Sequence, residues 1–268
     1  MKRFGLYLTG LFLSVLCLTS CLKGNNVQEG WALGVLELGG KNSFTPVLRT
    51  TTGDFYATEL ASKINNGEIY FGDCFVIYYR LDSDLPENGA SVLEVNGYYT
   101  ITILQIGQLK KYNLNPYLTD ISTIRPNEMP VLNGYFGGEY VDNHLFITQI
   151  VNQQSDLELH WEMSYDGQNI VTVDENNKRY YDLYIRAIVA TDSEKTLKSD
   201  VQYTNVYYMG NYFSYAASNE KAYLGSNFNA STSKFTIRFN YVADIDEETN
   251  TITWKSSEVE DLIAWFTE

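Results

Sequence analysis

Phe235, Ile237, Phe239 and Tyr241 alternate with Thr236, Arg238 and Asn240. Successive side chains of a strand point to opposite faces, so this spelling gives one apolar and one polar face only in extended chain. Leu157, Leu159, Trp161 and Met163 alternate in the same way with Glu158, His160 and Glu162. Runs of this kind confine the C-terminal half to half-buried sheet of the antiparallel sandwich type. Strands are expected over His144–Val151, Leu157–Tyr165, Tyr180–Ala190, Tyr203–Tyr215, Lys234–Val242 and Thr249–Lys255. Asp246 to Asn250 form the charged tip between the last two. After them, Ser257 and Glu260 fit a capping box, and Val259, Leu262, Ile263 and Phe266 follow helical spacing, which predicts a short C-terminal helix.

The N-terminal half gives a second block of strands: Trp31–Leu38, Phe44–Thr50, Asp54–Leu60, Phe71–Leu81 and Ser91–Ile106. Turn signals bound them at Gly39-Gly40, Thr52-Gly53, Asn65-Asn66-Gly67 and Asn88-Gly89. Ala57–Ile64 fits either strand or one to two turns of helix. Five strands with one short helical insertion is the count of a small closed barrel such as an OB-fold. Pro116, Pro126 and Pro130 punctuate the stretch between the blocks. The expected organisation is therefore all-β, with an OB-like barrel over residues 31–110, a connector at 111–130, and a β-sandwich with a C-terminal helix at 131–268.

Residues 1–20 read as an address. Lys2 and Arg3 precede an uncharged apolar run from Leu6 to Leu18, which is too short to span a bilayer. Leu18-Thr19-Ser20-Cys21 resembles the lipobox of bacterial lipoproteins, in which the chain is cut before the cysteine and the cysteine is lipidated. That resemblance implies lipid attachment at Cys21 and a membrane partner reached through an N-terminal anchor, with residues 21–30 as a glycine- and asparagine-containing tether. Of three cysteines, Cys17 leaves with the signal and Cys21 takes the lipid, so Cys74 has no partner for an intramolecular disulfide. Within its apolar run it is read as a small buried hydrophobe.

Charge and motif content exclude several functions. The net charge is −14, and removal of Lys2 and Arg3 with the signal takes it to −16. A chain this acidic offers no positive face to a phosphate backbone, so no nucleic-acid partner is expected. There is no nucleophile elbow, P-loop, dinucleotide fingerprint, C-x-x-C or H-E-x-x-H, so neither a catalytic residue nor a cofactor or metal is assigned. Glu158, His160 and Glu162 share one strand face and offer an imidazole and carboxylates to a divalent ion. A solvated polar face with a local charge pair accounts for them more simply. Asp244, Asp246 and Glu248 space like part of a calcium loop but lack its glycine, and read as a hairpin tip.

Tyrosine is the compositional anomaly, with 22 in 268 residues. Tyr207, Tyr208, Tyr212 and Tyr215 crowd one segment, where flat faces and hydroxyls suit recognition of a sugar or protein surface. They are the ligand-binding candidates, although tyrosine is also a good strand former. Three further stretches, Gly72 to Tyr79, Glu94 to Tyr99 and Gly137-Gly138-Glu139-Tyr140, resemble the NigD-like lipoproteins of Bacteroidetes. The resemblance implies an OB-like barrel followed by a β-domain on a lipid anchor. It also implies an immunity-like role, and it brings no catalytic residues. Leu22-Lys23-Gly24 after the cysteine carries neither an acidic export run nor an aspartate at position 22, which points to outer-membrane attachment with the facing open. The expected function is a non-enzymatic envelope lipoprotein that binds a protein or glycan ligand. Its rivals are a surface glycan-binding protein and an envelope hydrolase.

Overall fold

The chain divides into two units, Met1–Gln108 and Leu109–Glu268. The computed structural model describes residues 26–41, 44–118, 120–153, 158–190, 199–210, 212–229 and 232–262. The signal segment and Cys21 lie outside the described residues. Among the described residues, no helix is long and apolar enough to cross a membrane.

The first unit holds β1 (Val27–Gly39), β2 (Thr45–Thr50), β3 (Gly53–Tyr56), α1 (Thr58–Asn65), β4 (Cys74–Asp82), α2 (Ala90–Asn96), β5 (Tyr99–Thr100) and β6 (Thr102–Leu109). The strand order is β5-β3-β2-β1-β4-β6. The two end strands are separated in the chain by Ile101 alone, so the sheet has to bend round until its edges nearly meet. Leu36, Leu48, Phe55, Phe75 and Ile77 fill the interior, with Leu60 of α1 among them. The open segment at Ala57–Ile64 is thus helical. Ser91–Ile106, expected as one strand, is instead α2 followed by β5 and β6. Gly97 stops α2 with φ of +75°, a conformation glycine adopts without strain, and its N–H donates to Leu93 O at 2.8 Å. Val27–Gly30, expected as tether, pair with Tyr79–Asp82 and are strand.

The second unit holds β7 (Lys111–Asn115), β8 (Glu128–Met129), β9 (Val131–Val141), β10 (His144–Gln153), β11 (Leu159–Ser164), β12 (Thr172–Val173), β13 (Arg179–Val189), β14 (Ser199–Tyr208), α3 (Tyr212–Leu224), β15 (Lys234–Asp246) and β16 (Thr251–Leu262). They form one hydrogen-bonded sheet in the order β16-β15-β13-β11-β7-β14-β10-β9, with β8 and β12 both on β13. The expected sandwich takes the form of this single curled sheet, which folds back so that Tyr135 of β9 stacks on Phe239 of β15 at 4.7 Å. It is mixed rather than purely antiparallel: β7 runs parallel to both β11 and β14, and β13 parallel to β15. The connector at 111–130 is therefore part of the domain, since Lys111–Asn115 is a central strand.

The alternation is borne out in the core and modified outside it. Phe235, Ile237, Phe239 and Tyr241 are buried with Leu159, Trp161 and Met163. The opposite face of β15 is partly buried too, because it carries an ion-pair network. Asp182 accepts from Arg238 Nε at 2.5 Å and Nη2 at 2.7 Å, from Thr172 Oγ1 at 2.5 Å and from Asn240 Nδ2 at 2.8 Å. Burial pushes the Asp182 carboxyl up, and the Arg238, Thr172 and Asn240 hydrogen bonds more than offset it, so the group sits below its usual value.

Two local readings are overturned by long-range pairing. The helix expected from Ser257 is strand: β16 pairs with β15 from Thr251 to Leu262, setting Glu260 opposite Thr236 and Val259 opposite Ile237. A capping pattern controls one turn, whereas this ladder engages the whole segment. Residues 263–268 lie outside the described residues. The strand expected to run from Tyr203 to Tyr215 ends at Tyr208, and Tyr212 opens α3 after Gly210 at φ +50°. Tyr212, Phe213, Ala216, Ala217 and Glu220 bury one side of α3. Glu220 accepts from Arg179 Nε at 2.7 Å and Tyr181 Oη at 2.8 Å, which ties the helix to β13.

Candidate functional site

The tyrosine segment separates into core and surface. Tyr207 is fully buried, donates to Gln149 Oε1 at 3.0 Å and stacks with Tyr112 at 5.7 Å. Tyr212 is buried too, with its hydroxyl 3.5 Å from Asp182 O. Burial pushes both phenols well above the ordinary tyrosine value. Neither side chain reaches a surface ligand, so both are corrected to core residues. Their polar tips are met by protein acceptors, as buried tyrosine requires. Tyr208 and Tyr215 are exposed, at 44% and 56%. Tyr208 packs its ring on His144 at 5.3 Å and Tyr215 lies on α3, with no described contact joining the two.

The row Glu158, His160 and Glu162 lies on the outer side of β11, as alternation predicts. Each carboxylate already has a cation. Lys110 Nζ donates to Glu158 Oε1 at 2.9 Å, and Arg125 Nη1 donates to Glu162 Oε2. His160 Nε2 lies 3.9 Å from the other Glu162 oxygen. Among the described residues, no group of three or more histidine, cysteine or acidic side chains is placed to hold a metal ion. Asp246 takes the N–H groups of Glu248 and Thr249 at 2.9 and 3.0 Å and thereby closes the β15–β16 turn, with Asn250 at positive φ. Cys74 is buried and its thiol points to Gly72 O at 3.7 Å.

The outer side of β11 also borders a cavity of about 330 Å³, at the small end of the ~300–1,000 Å³ common for small-molecule sites. It lies where β7 and β11 diverge. The two strands pair at Met163 with Leu114 and at Ser164 with Asn115, and at no earlier residue. Tyr112 spans the resulting gap, its hydroxyl donating to Leu159 O at 3.4 Å and its ring set edgewise to His160 at 5.5 Å. Asn113 and Asn115 of β7 line one wall, and His160, Trp161, Glu162 and Ser164 of β11 the other. Arg125 closes a third side from the segment between β7 and β8. The Trp161 indole N–H is buried without an acceptor, a rare and costly state for a polar group in a folded protein.

The segment carrying Arg125 is strapped down. Arg186 of β13 donates to both Glu128 oxygens, at 2.9 and 2.8 Å, and to the carbonyls of Thr123 and Asp120 at 3.1 and 2.8 Å. Trp254 of β16 donates to Ile121 O at 2.9 Å. The Ser122 hydroxyl and N–H, with the Thr123 hydroxyl, hold the Asp120 carboxyl down at about 2. Arg125 is thereby presented to Glu162 by a fixed loop. The sequence reading singled out His160 and Glu162 but missed Tyr112, Asn113, Asn115 and Arg125. A signal was present in Lys111-Tyr112-Asn113-Leu114-Asn115, which alternates as a strand should.

An OB barrel followed by one large curled sheet, with a polar cleft in the second unit, defines a two-unit all-β chain. Residues 24–106 match the family model described as the lipoprotein OB domain, so the first unit carries that domain. An uncharacterised protein from Parabacteroides merdae is similar in structure at 17% identity, with a TM-score of 0.70 over 87% of this chain and 99% of that one. A candidate lipoprotein from Bacteroides fragilis is similar at 14% identity, with a TM-score of 0.51 over 87% and 98%. A NigD-like immunity protein from Bacteroides caccae aligns at 11% identity, with a TM-score of 0.45 over 89% and 99%. The first two likenesses show a shared fold and carry no activity with them. No curated protein matches the chain.

Proposed function

We propose that this chain is a lipid-anchored protein of the bacterial cell envelope that works as a binding module rather than an enzyme, with Cys21 as the attachment point. The lipobox and the lipoprotein OB domain support the anchor, and outer-membrane attachment is the version favoured by the residues after Cys21. The observation that carries the binding reading is the cleft between β7 and β11, where residues from two strands and a pinned loop converge on one small volume. Within the cleft Arg125 is engaged with Glu162, and beside it Lys110 is engaged with Glu158, so neither carboxylate stands as a lone nucleophile or base.

The two histidines provide the test. His144 is buried and His160 is 53% exposed in its side chain, so diethyl pyrocarbonate modifies His160 selectively in the folded chain. Native envelope extract that contains the ligand protects His160. Undiminished modification in the presence of extract from the source cells overturns the cleft as the contact site. Separately, Cys21→Ala moves the protein from the membrane fraction to the soluble fraction. Retention of that variant in the membrane overturns the anchor.

A further inference from the structure

The chemistry of the cleft specifies a class of ligand, and this step rests on the reading of the cleft as a binding site. Its charges cancel in pairs. Arg125 is spent on Glu162, and Lys110 at the neighbouring position is spent on Glu158. A charged ligand would have to break one of these pairs, and an anion would in addition approach a protein of net charge −14. What remains free is neutral and has both hydrogen-bonding senses. The Asn113 amide has no described side-chain partner and offers donor and acceptor together. Asn115 uses only Oδ1, on the N–H of Tyr117 at 3.0 Å, so its amide hydrogens stay available. His160 is exposed at the rim.

We infer that the β7–β11 cleft binds a neutral saccharide, with one or two sugar rings seated between Asn113, Asn115, His160 and the Arg125–Glu162 pair. A hydroxyl both donates and accepts, so vicinal hydroxyls match planar amides and a carboxylate–guanidinium pair without disturbing the ion pairs. Phosphate, carboxylate and ammonium ligands satisfy fewer of these groups and disrupt at least one pair.

The experiment uses the full chain in detergent and a panel of neutral oligosaccharides: glucans, galactans, mannans, xylans and N-acetylhexosamine oligomers. Binding is read by calorimetry and by protection of His160 from diethyl pyrocarbonate. The expected result is saturable binding of at least one panel member. Its affinity changes by less than about twofold between roughly 0.05 and 0.5 M salt, because neither partner contributes a net charge to the contact. Asn113→Ala and Arg125→Met each weaken it at least tenfold. Asn113→Ala is the decisive variant, since that side chain holds nothing else in place and its loss leaves the fold intact. If no panel member binds while a charged amino acid or peptide protects His160, the saccharide assignment is overturned and the cleft survives as a site. If a saccharide binds but Asn113→Ala leaves its affinity unchanged, or if nothing in envelope extract protects His160, the cleft itself is overturned.

Discussion

Arg186 and Glu128 form an ion pair with side-chain exposures of 2% and 0%, and Arg186 Nη1 bonds both carboxylate oxygens. The same guanidinium holds the carbonyls of Asp120 and Thr123, so one buried cation fixes the loop that delivers Arg125 to the cleft. Removing either charge strands the other where solvent does not reach it. Arg186→Met is expected to lower stability by about 3–5 kcal/mol, and the double change Arg186→Met with Glu128→Leu to restore much of it. Urea unfolding of the three proteins checks this. A single-variant loss under about 1 kcal/mol would show that the pair is not desolvated as described.

Substitution across the tyrosine segment should separate folding from surface chemistry. Tyr207→Ala removes a fully buried ring and leaves Gln149 without one of its two donors, for an expected cost of about 3–5 kcal/mol. Tyr208→Ala and Tyr215→Ala remove exposed rings and should stay within about 1 kcal/mol of the parent. Thermal melts of the three variants test the division. Equal losses at Tyr207 and Tyr215 would contradict it.

His144 makes stability fall on the acid side. Its Nδ1 lies 2.7 Å from Asp142 O, while Nε2 is buried without a partner. Burial lowers its pKa most; the hydrogen bond to the Asp142 carbonyl offsets part of that, and the nearby Lys111 lowers it again, so the net direction is down. The unfolded chain, with an ordinary histidine near 6.5, then binds the proton first. Stability is full above about pH 6.5 and declines as pH falls through the lowered pKa of the folded state. Replacing the imidazole with the uncharged amide of His144→Gln should flatten the profile between roughly pH 5 and 7. An unchanged slope in that variant would assign the acid sensitivity elsewhere.

Gly134 sits where β9 passes over β15. A Cβ built there would come within 2.7 to 2.9 Å of three atoms of the Tyr241 side chain, the ring-bearing Cβ included. Gly134→Ala should therefore cost about 1–3 kcal/mol through overpacking. Tyr241→Leu in the same chain should recover part of that loss. Failure of the pair to couple in a double-mutant cycle would mean that the curl of the sheet relaxes freely.

What the sequence disclosed depended on the range of the interaction involved. The strand at Phe235 to Tyr241 was legible because alternation is local and its apolar side meets one continuous core. The two blocks and the OB-like barrel were legible for the same reason, from turn residues such as Gly53 and Gly67. The segment after Ser257 was misread because its helical spacing is also local, whereas its pairing with β15 is not. Tyr212 and Tyr215 were misread because tyrosine favours strands, and Gly210 was not given the weight of a terminator. The cleft was half legible. The row at His160 and Glu162 follows from alternation, but Arg125 reaches Glu162 across 37 residues, from a loop held by the still more distant contacts of Arg186 and Trp254.

The placement of β7 bears on how the second unit comes to exist. This five-residue strand stands in the middle of the sheet with its neighbours β11 and β14 beginning at Leu159 and Ser199, yet it comes first in the chain. A polypeptide emerging from its amino end displays β7 with its β11 ladder empty until some fifty further residues have followed, and its β14 ladder empty until some ninety have. Closing such distant parallel pairings is slow, because the entropy of the intervening loops is lost before any contact compensates it. The β7–β14 seam beside the cleft is thus a slow step in assembling the domain, and the interval before it forms exposes the chain to proteases and to its own copies.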